Sequence, residues 1–220
     1  MPSELSALTQ AFCNDAAHAA SLRSLAAVSE VRRYRKGSIL IHESDHGDSL
    51  FIIMEGRVKV YSTDANDREI TLGVMGVGEY FGEMALDGGV RSASVSTLES
   101  TVCALVTRAH LLEHIAQTPQ FALDLLGKVI HRARSATHSV RNLAFTDVYG
   151  RLTQLLVELA VPQPDGSAQL TERMTHQDLA SRVGCSREMV SRILKDLESG
   201  GYIVLRDRHI ALLGKLPARW

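Results

Sequence analysis

Apolar residues change their spacing along this chain, and each spacing predicts a different element. Between Ser3 and Ser29, the apolar residues Leu5, Leu8, Phe12, Leu22, Leu25 and Ala26 fall at helical intervals. From Val31 to Val106 the texture shortens to β-rich runs at Ser38–His42, Leu50–Met54, Val58–Tyr61, Glu69–Val74, Ala93–Thr97 and Val102–Thr107. Turn clusters separate them at Glu43–Asp48, Thr63–Asp67 and Asp87–Gly89. Many short strands at regular spacing predict a small antiparallel barrel or sandwich.

A helical pattern then opens at Pro119 and runs to about Phe145. Ala122, Leu126, Val129, Ala133, Ala136, Val140 and Leu143 follow at intervals of 4-3-4-3-4-3. A helix resting on its own barrel usually shows a broader, drifting stripe. An unbroken a/d seam marks a coiled coil. The favoured expectation is a helix that pairs with a second copy, with docking on its own barrel as the alternative. Another helix is predicted at Thr153–Ala160 and a loop at Val161–Ser167. From Met174 to Leu205 the pattern reads helix, tight turn, helix, strand. Ala180 leaves room for a crossing helix, Gly184 makes the turn and Val190 fastens the second helix. That is a helix-turn-helix signal, and it points to double-stranded DNA. Tyr202–Leu205 and His209–Leu212, joined by Arg206-Asp207-Arg208, predict a wing whose arginines touch phosphate.

Charge sharpens this division. The chain of 220 residues carries 24 Lys/Arg against 25 Asp/Glu, a balance unlike a purely electrostatic DNA coat. From Ala168 to Trp220, nine basic residues outnumber six acidic ones, so a local excess of +3 sits on a chain of net −1. A basic module on a mildly acidic partner fits a sensor joined to a DNA reader. Cys13, Cys103 and Cys185 are far apart and form no C-x-x-C pair, so neither a zinc site nor a disulfide framework is expected. They read as thiols of a reducing cytoplasm. No apolar run approaches a membrane span, and the first residues lack a secretory signal pattern.

The densest chemistry lies in Gly78-Glu79-Tyr80-Phe81-Gly82-Glu83-Met84-Ala85-Leu86-Asp87-Gly88-Gly89-Val90-Arg91-Ser92-Ala93. Its glycines permit tight backbone and close ligand approach. Backbone N–H groups at a short helical turn from Gly82 to Leu86 make an anion site. Arg91 is suited to hold a phosphate bidentately, and Glu83 to accept from a ribose hydroxyl. An acid and an arginine facing one pocket suit a sugar phosphate. The competing reading is a glycine-rich turn with a surface Glu–Arg pair.

With these motifs in order, the chain resembles the cyclic AMP receptor protein (CRP/FNR) family of bacterial transcription regulators over about Val31 to Leu212. The cassette Gly78–Ala93 is similar to the family's phosphate-binding cassette. Asn142–Leu152 is similar to its hinge, and Gly184–Lys195 to its recognition helix. The resemblance implies an α+β architecture in three parts. Residues 1–118 would be an N-terminal β-roll, a cyclic-nucleotide-binding jelly roll. Residues 119–145 would be a long dimerisation helix and hinge, and 146–220 a C-terminal winged helix-turn-helix. It implies that Glu83 contacts a ribose 2′-hydroxyl, that Arg91 and Ser92 contact a cyclic phosphate, and that Gly82 and Ala93 supply backbone. Met84 belongs to the same ligand shell. The base contacts would fall at Ala136 and Thr137, where the family's cyclic AMP sensors carry Thr-Ser. Ala136 has no hydrogen-bonding group, and Glu83 and Arg91 stand in a tighter loop than in those sensors. Arg132, Arg134 and Arg141 crowd the same helix, and arginine is the usual partner of guanine O6 and N7. Cyclic di-GMP, the effector of some relatives, is therefore kept as an alternative to cyclic AMP. A metal is not expected: the FNR-type cysteine cluster is missing, and His42, His46 and Cys103 read as ordinary residues rather than haem ligands.

For DNA, Thr175 and Gln177 open the first helix near phosphate, and Ser186 caps the second. Arg187, Glu188 and Arg192 project to base edges, and Met189 lies against backbone or a thymine methyl. The resemblance implies a TGTGA-like inverted repeat read by a homodimer, with RNA polymerase as a partner and no membrane. Two rivals stand beside this regulator: an enzyme or kinase-type regulatory subunit, and a ligand-independent DNA-binding protein with a vestigial pocket. No nucleophile–base constellation supports the enzyme.

Overall fold

The computed structural model describes residues 4–17, 19–164, 166–206 and 209–217, without the side chains of Ala85 and Arg206. The chain separates into two compact units, Met1–Ser62 with Thr71–Ala133, and Thr63–Ile70 with Arg134–Trp220.

In the first unit, β3 (Leu50–Glu55) shows how alternation builds the core. Successive side chains of a strand point to opposite faces. Leu50, Ile52 and Met54 join Tyr80, Val102, Ala104 and Val106 beneath α1 (Glu4–Asn14), α2 (Ala20–Ala27), α3 (Arg108–Gln117) and the start of α4 (Gln120–Phe145). Phe51 and Ile53 face the other way, onto Ile41, Val58, Phe81, Val95 and Cys103. Covered on both sides, this strand reads as a continuous apolar run. The sheet containing it has the order β1 (Glu30–Tyr34), β8 (Thr101–Val106), β3, β6 (Tyr80–Phe81). The facing sheet has the order β2 (Ile39–Ile41), β7 (Ser94–Thr97), β4 (Val58–Thr63), β5 (Glu69–Met75). The sandwich expectation thus holds. Burial of Cys103 between the sheets pushes its thiol up to about 12, and all three cysteines are free.

The predicted N-terminal helical stretch is two helices, interrupted after Asn14. The long helix is unbroken from Gln120 to Phe145. Its first turn docks through buried Phe121, with Leu125 packed against the same core. The predicted seam divides by burial: Ala122 and Val129 are half-buried, whereas Leu126, Ala133, Ala136, Val140 and Leu143 are exposed. Leu123 and Ile130 are exposed as well, so the apolar stripe is wider than a bare seam.

The second unit contains α5 (Val148–Leu159), α6 (His176–Val183) and α7 (Arg187–Ser199). Their sheet has the order β11 (Ile203–Arg206), β12 (His209–Leu212), β10 (Ala168–Leu170), β9 (Ala160–Pro162). Leu152, Leu156, Leu170, Leu179, Leu194 and Leu197 fill its core. Helix α5 begins earlier than expected because Asp147 caps it, accepting from Gly150 N–H at 2.7 Å. The stretch 161–167, expected as a loop, is in part strand: β9 and β10 pair antiparallel on either side of its turn.

Candidate functional site

The cassette is assembled on a left-handed turn. Gly82 has φ 92° and leads into a short 3-10 helix, Glu83–Ala85. A Cβ here would meet Ser49 O at 2.7 Å and Arg91 Nη1 at 2.8 Å, so both conformation and space require glycine. Arg91 is buried and donates from Nη1 to Gly82 O at 2.7 Å and from Nη2 to Ser49 O at 3.0 Å. Burial pulls its pKa below the usual arginine range, against the opposing pull of Asp48 and Glu83. Gly47 also lies under this guanidinium, where a Cβ would stand 2.7 Å from Nη2. Ser92 is exposed and donates from its hydroxyl to Met84 Sδ at 3.4 Å. Met84 is also exposed, and Ala93 is buried.

The surface Glu–Arg pair does not occur. Glu83 is buried, and its Oε1 accepts from Arg132 Nη1 of helix α4. The same guanidinium donates from Nη2 to the carbonyl of Tyr80 at 2.6 Å. Glu83 Oε2 is buried without a hydrogen-bond partner among the described residues. Lys128, one turn before Arg132, holds its Nζ 4.6 Å from the centroid of the Tyr80 ring. Arg132 is therefore neither solvated helix surface nor free for a guanine edge. Sequence reasoning gave it no contact with Glu83. The signal was available: Phe121, Leu125, Lys128 and Arg132 share a 4-3-4 spacing, and the first two are anchored in the core. Ala136 and Thr137 lie farther along α4, within the second unit, and both are exposed. Arg134 and Arg141 are exposed too.

The second unit builds the other site. Thr175 caps α6 in a reciprocal box with Asp178, so its hydroxyl is engaged in the cap. Gly184 ends the helix at φ 71°, as the turn requires. Ser186 then caps α7, accepting from Met189 N–H at 3.2 Å. Ala180, Val183, Val190 and Leu194 are buried where the helices cross. His176 Nδ1 and Ser191 Oγ lie 2.7 Å apart and fasten the start of α6 to α7, a contact the sequence did not announce. Arg187, Glu188, Met189 and Arg192 are exposed along α7, as are Thr175, Gln177 and Ser186. Gln177 also reaches Ser181 Oγ at 3.5 Å. A hydrogen bond from its own backbone N–H, aided by the Ser186 hydroxyl, holds the Glu188 carboxyl below the usual range. Glu188 is therefore an acceptor at neutral pH. Strands β11 and β12 form the wing hairpin. Arg173 Nε donates to His209 Nε2, on the first residue of β12, at 3.0 Å. Its expected phosphate contacts, the Arg206 side chain and residues 207 and 208, lie outside the described residues.

Among the described residues, no cluster of His, Cys, Asp and Glu is placed to hold a metal. Nor is any helix of theirs long and apolar enough to cross a membrane.

Comparison with known proteins matches residues 31–118 to the cyclic nucleotide-binding domain and residues 150–215 to the Crp-like helix-turn-helix domain. The cAMP-activated global transcriptional regulator CRP of Haemophilus influenzae is 33% identical over 191 residues, covering 84% of each chain. The cAMP-activated global transcriptional regulator Vfr of Pseudomonas aeruginosa is 32% identical over 193 residues, covering 83% of this chain and 89% of its own. Among solved structures, the c-di-GMP-responsive global regulator CLP of Xanthomonas campestris superposes with a TM-score of 0.78. It is 28% identical and is covered over 99% of its length by 89% of this chain. These relatives are transcription regulators, not enzymes.

Proposed function

Since this chain belongs to the CRP/FNR family of DNA-binding transcription regulators with a cyclic nucleotide-binding domain, we propose that it works as a homodimer switched by cyclic AMP. In this reading Arg91, Ser92 and the Gly82 turn take the cyclic phosphate, Glu83 takes the ribose, and Met84 and Ala93 complete the wall. Arg187, Glu188 and Arg192 read a TGTGA-like half-site, repeated in inverse order across the dimer axis. Thr175, Gln177 and Ser186 orient the reader on phosphate, and Met189 packs on a thymine methyl. The observation that carries the effector reading is the buried Glu83 carboxylate, whose Oε2 has no partner among the described residues. A buried charge with an open lone pair is costly unless a ligand donor completes it.

A second reading, cyclic di-GMP, draws on the likeness to the c-di-GMP-responsive CLP and on Ala136, which offers the adenine edge no hydrogen bond. The engagement of Arg132 with Glu83 removes one arginine from its support. RNA polymerase is the proposed protein partner, by the family's general mode of action.

Calorimetric titration with cyclic AMP, cyclic GMP and cyclic di-GMP tests the proposal, on the wild type and on Arg91→Lys and Arg91→Ala. Cyclic AMP should bind, with affinity falling at least about tenfold in Arg91→Ala as a charge-assisted contact is lost. Binding of cyclic di-GMP alone would transfer the reading to that effector. Binding of no nucleotide, with a gel shift that ignores added nucleotide, would identify a constitutive DNA-binding protein.

A further inference from the structure

Tyr80 stands two residues before Gly82, and its side chain enters the core beneath the helices. It is 3% exposed, and its hydroxyl has no hydrogen-bond partner among the described residues. Its ring packs at 6.4 Å from that of Phe121, in surroundings where phenylalanine would serve the packing equally well. A phenol buried without a partner is less stable than the hydrocarbon of the same shape. The hydroxyl therefore calls for a partner that the described residues do not supply.

A second orphan lies three residues on in the same cassette, close enough to act electrostatically on the phenol. Glu83 Oε2 is likewise buried and unpartnered, while Oε1 is held by Arg132. The fork of Arg132 joins the two residues, with one nitrogen on the Glu83 carboxylate and the other on the Tyr80 carbonyl. Glu83 and Arg132 both act electrostatically on the phenol, whose pKa burial pushes up to about 12. It is thus a neutral donor at any physiological pH. Lys128 over the ring face draws density from the phenol and strengthens it as a donor. One orphan is an acceptor only, and the other has a proton to give. A single hydroxyl satisfies both: its proton goes to Glu83 Oε2, and its lone pair accepts from Tyr80.

We infer that Tyr80 is a further ligand-recognition residue, its phenol and the open oxygen of Glu83 together taking one ligand hydroxyl. The inference rests on the cassette reading above and assigns that hydroxyl to the ribose 2′ position.

The test is a calorimetric cycle with cyclic AMP and 2′-deoxy cyclic AMP on the wild type and Tyr80→Phe. Thermal melts of both proteins without nucleotide accompany it. Tyr80→Phe should weaken cyclic AMP binding about two- to tenfold, the range of one hydrogen bond, and leave 2′-deoxy binding unchanged. The ligand-free variant should melt no lower than the wild type, because it loses an orphan rather than a bond. Equal weakening for both nucleotides, or none, would overturn the inference. So would a clearly lower melting point, which would reveal a partner inside the free protein. Cyclic AMP binding by the wild type with Tyr80→Phe unaffected defeats this inference alone; a wild type that binds neither nucleotide defeats the effector reading as well.

Discussion

Glu83 and Arg132 share an ion pair but not its burial. The Glu83 side chain is 2% exposed and that of Arg132 is 26% exposed, so only one of them reaches water when its partner is lost. Arg132→Ala leaves a buried carboxylate with no partner on either oxygen among the described residues. It should destabilise the first unit by about 3 kcal/mol, the usual cost of stranding a buried charge. Glu83→Gln should cost clearly less, because the amide oxygen still accepts from Arg132 and the guanidinium keeps its bond to the Tyr80 carbonyl. Urea titrations at equal m-value measure both, and a larger loss in Glu83→Gln would refute the asymmetry. At this scale the sequence showed half of the pair. Glu83 and Arg91 stood out because a glycine turn, an acid and an arginine within one short segment already describe a pocket. The second half is separated from it by 49 residues. It depends on the azimuth of α4, which the burial of Phe121 and Leu125 decides and which charge alone does not reveal.

Elements were legible in proportion to how locally they are determined. The helix-turn-helix depends on short-range chemistry: a capping box at Thr175, a left-handed Gly184 and a serine cap at Ser186. Strand β6 is only two residues long, and its place in the sheet comes from pairing with Phe51 and Ile52. Strand β9 contains Pro162 and was expected as a helix end at Ala160 followed by loop; it lies at the edge of its sheet, where proline removes no needed donor. The locality of α7 separates two roles along it. Ser186→Ala should lower stability by about 1 kcal/mol through the lost cap. Arg187→Ala, on an exposed side chain, should leave stability unchanged. It should instead cost about 1–3 kcal/mol of DNA binding and relax the preference at one G of the half-site. Denaturation curves and binding to single-base-substituted sites distinguish them. If Arg187→Ala altered the melting transition and not the base preference, α7 would not be the reader.

For the whole molecule, the weak point of a monomeric reading is charge. A net of −1, with a C-terminal excess of only +3, provides little general attraction to phosphate. In the proposed homodimer, affinity comes from binding two half-sites at once, where linkage typically adds a factor of about 10²–10⁴. The α4 helix carries the material for that linkage. Leu126 is 53% and Val140 66% exposed, with Leu123, Ile130 and Leu143 also uncovered. The heptad spacing was legible because periodicity needs no tertiary information; which side chains face the helix's own domain was not. Val129, read as part of the seam, is half-buried, and Ile130 beside it is exposed. Leu126→Glu combined with Val140→Glu places like charges along the stripe without touching either core. Analytical ultracentrifugation should show the wild type as a dimer and the variant as a folded monomer. Affinity for the full inverted repeat should fall at least about a hundredfold, to that of one half-site. A variant that stays dimeric would move the interface off α4, and a monomer with undiminished affinity would make avidity unnecessary.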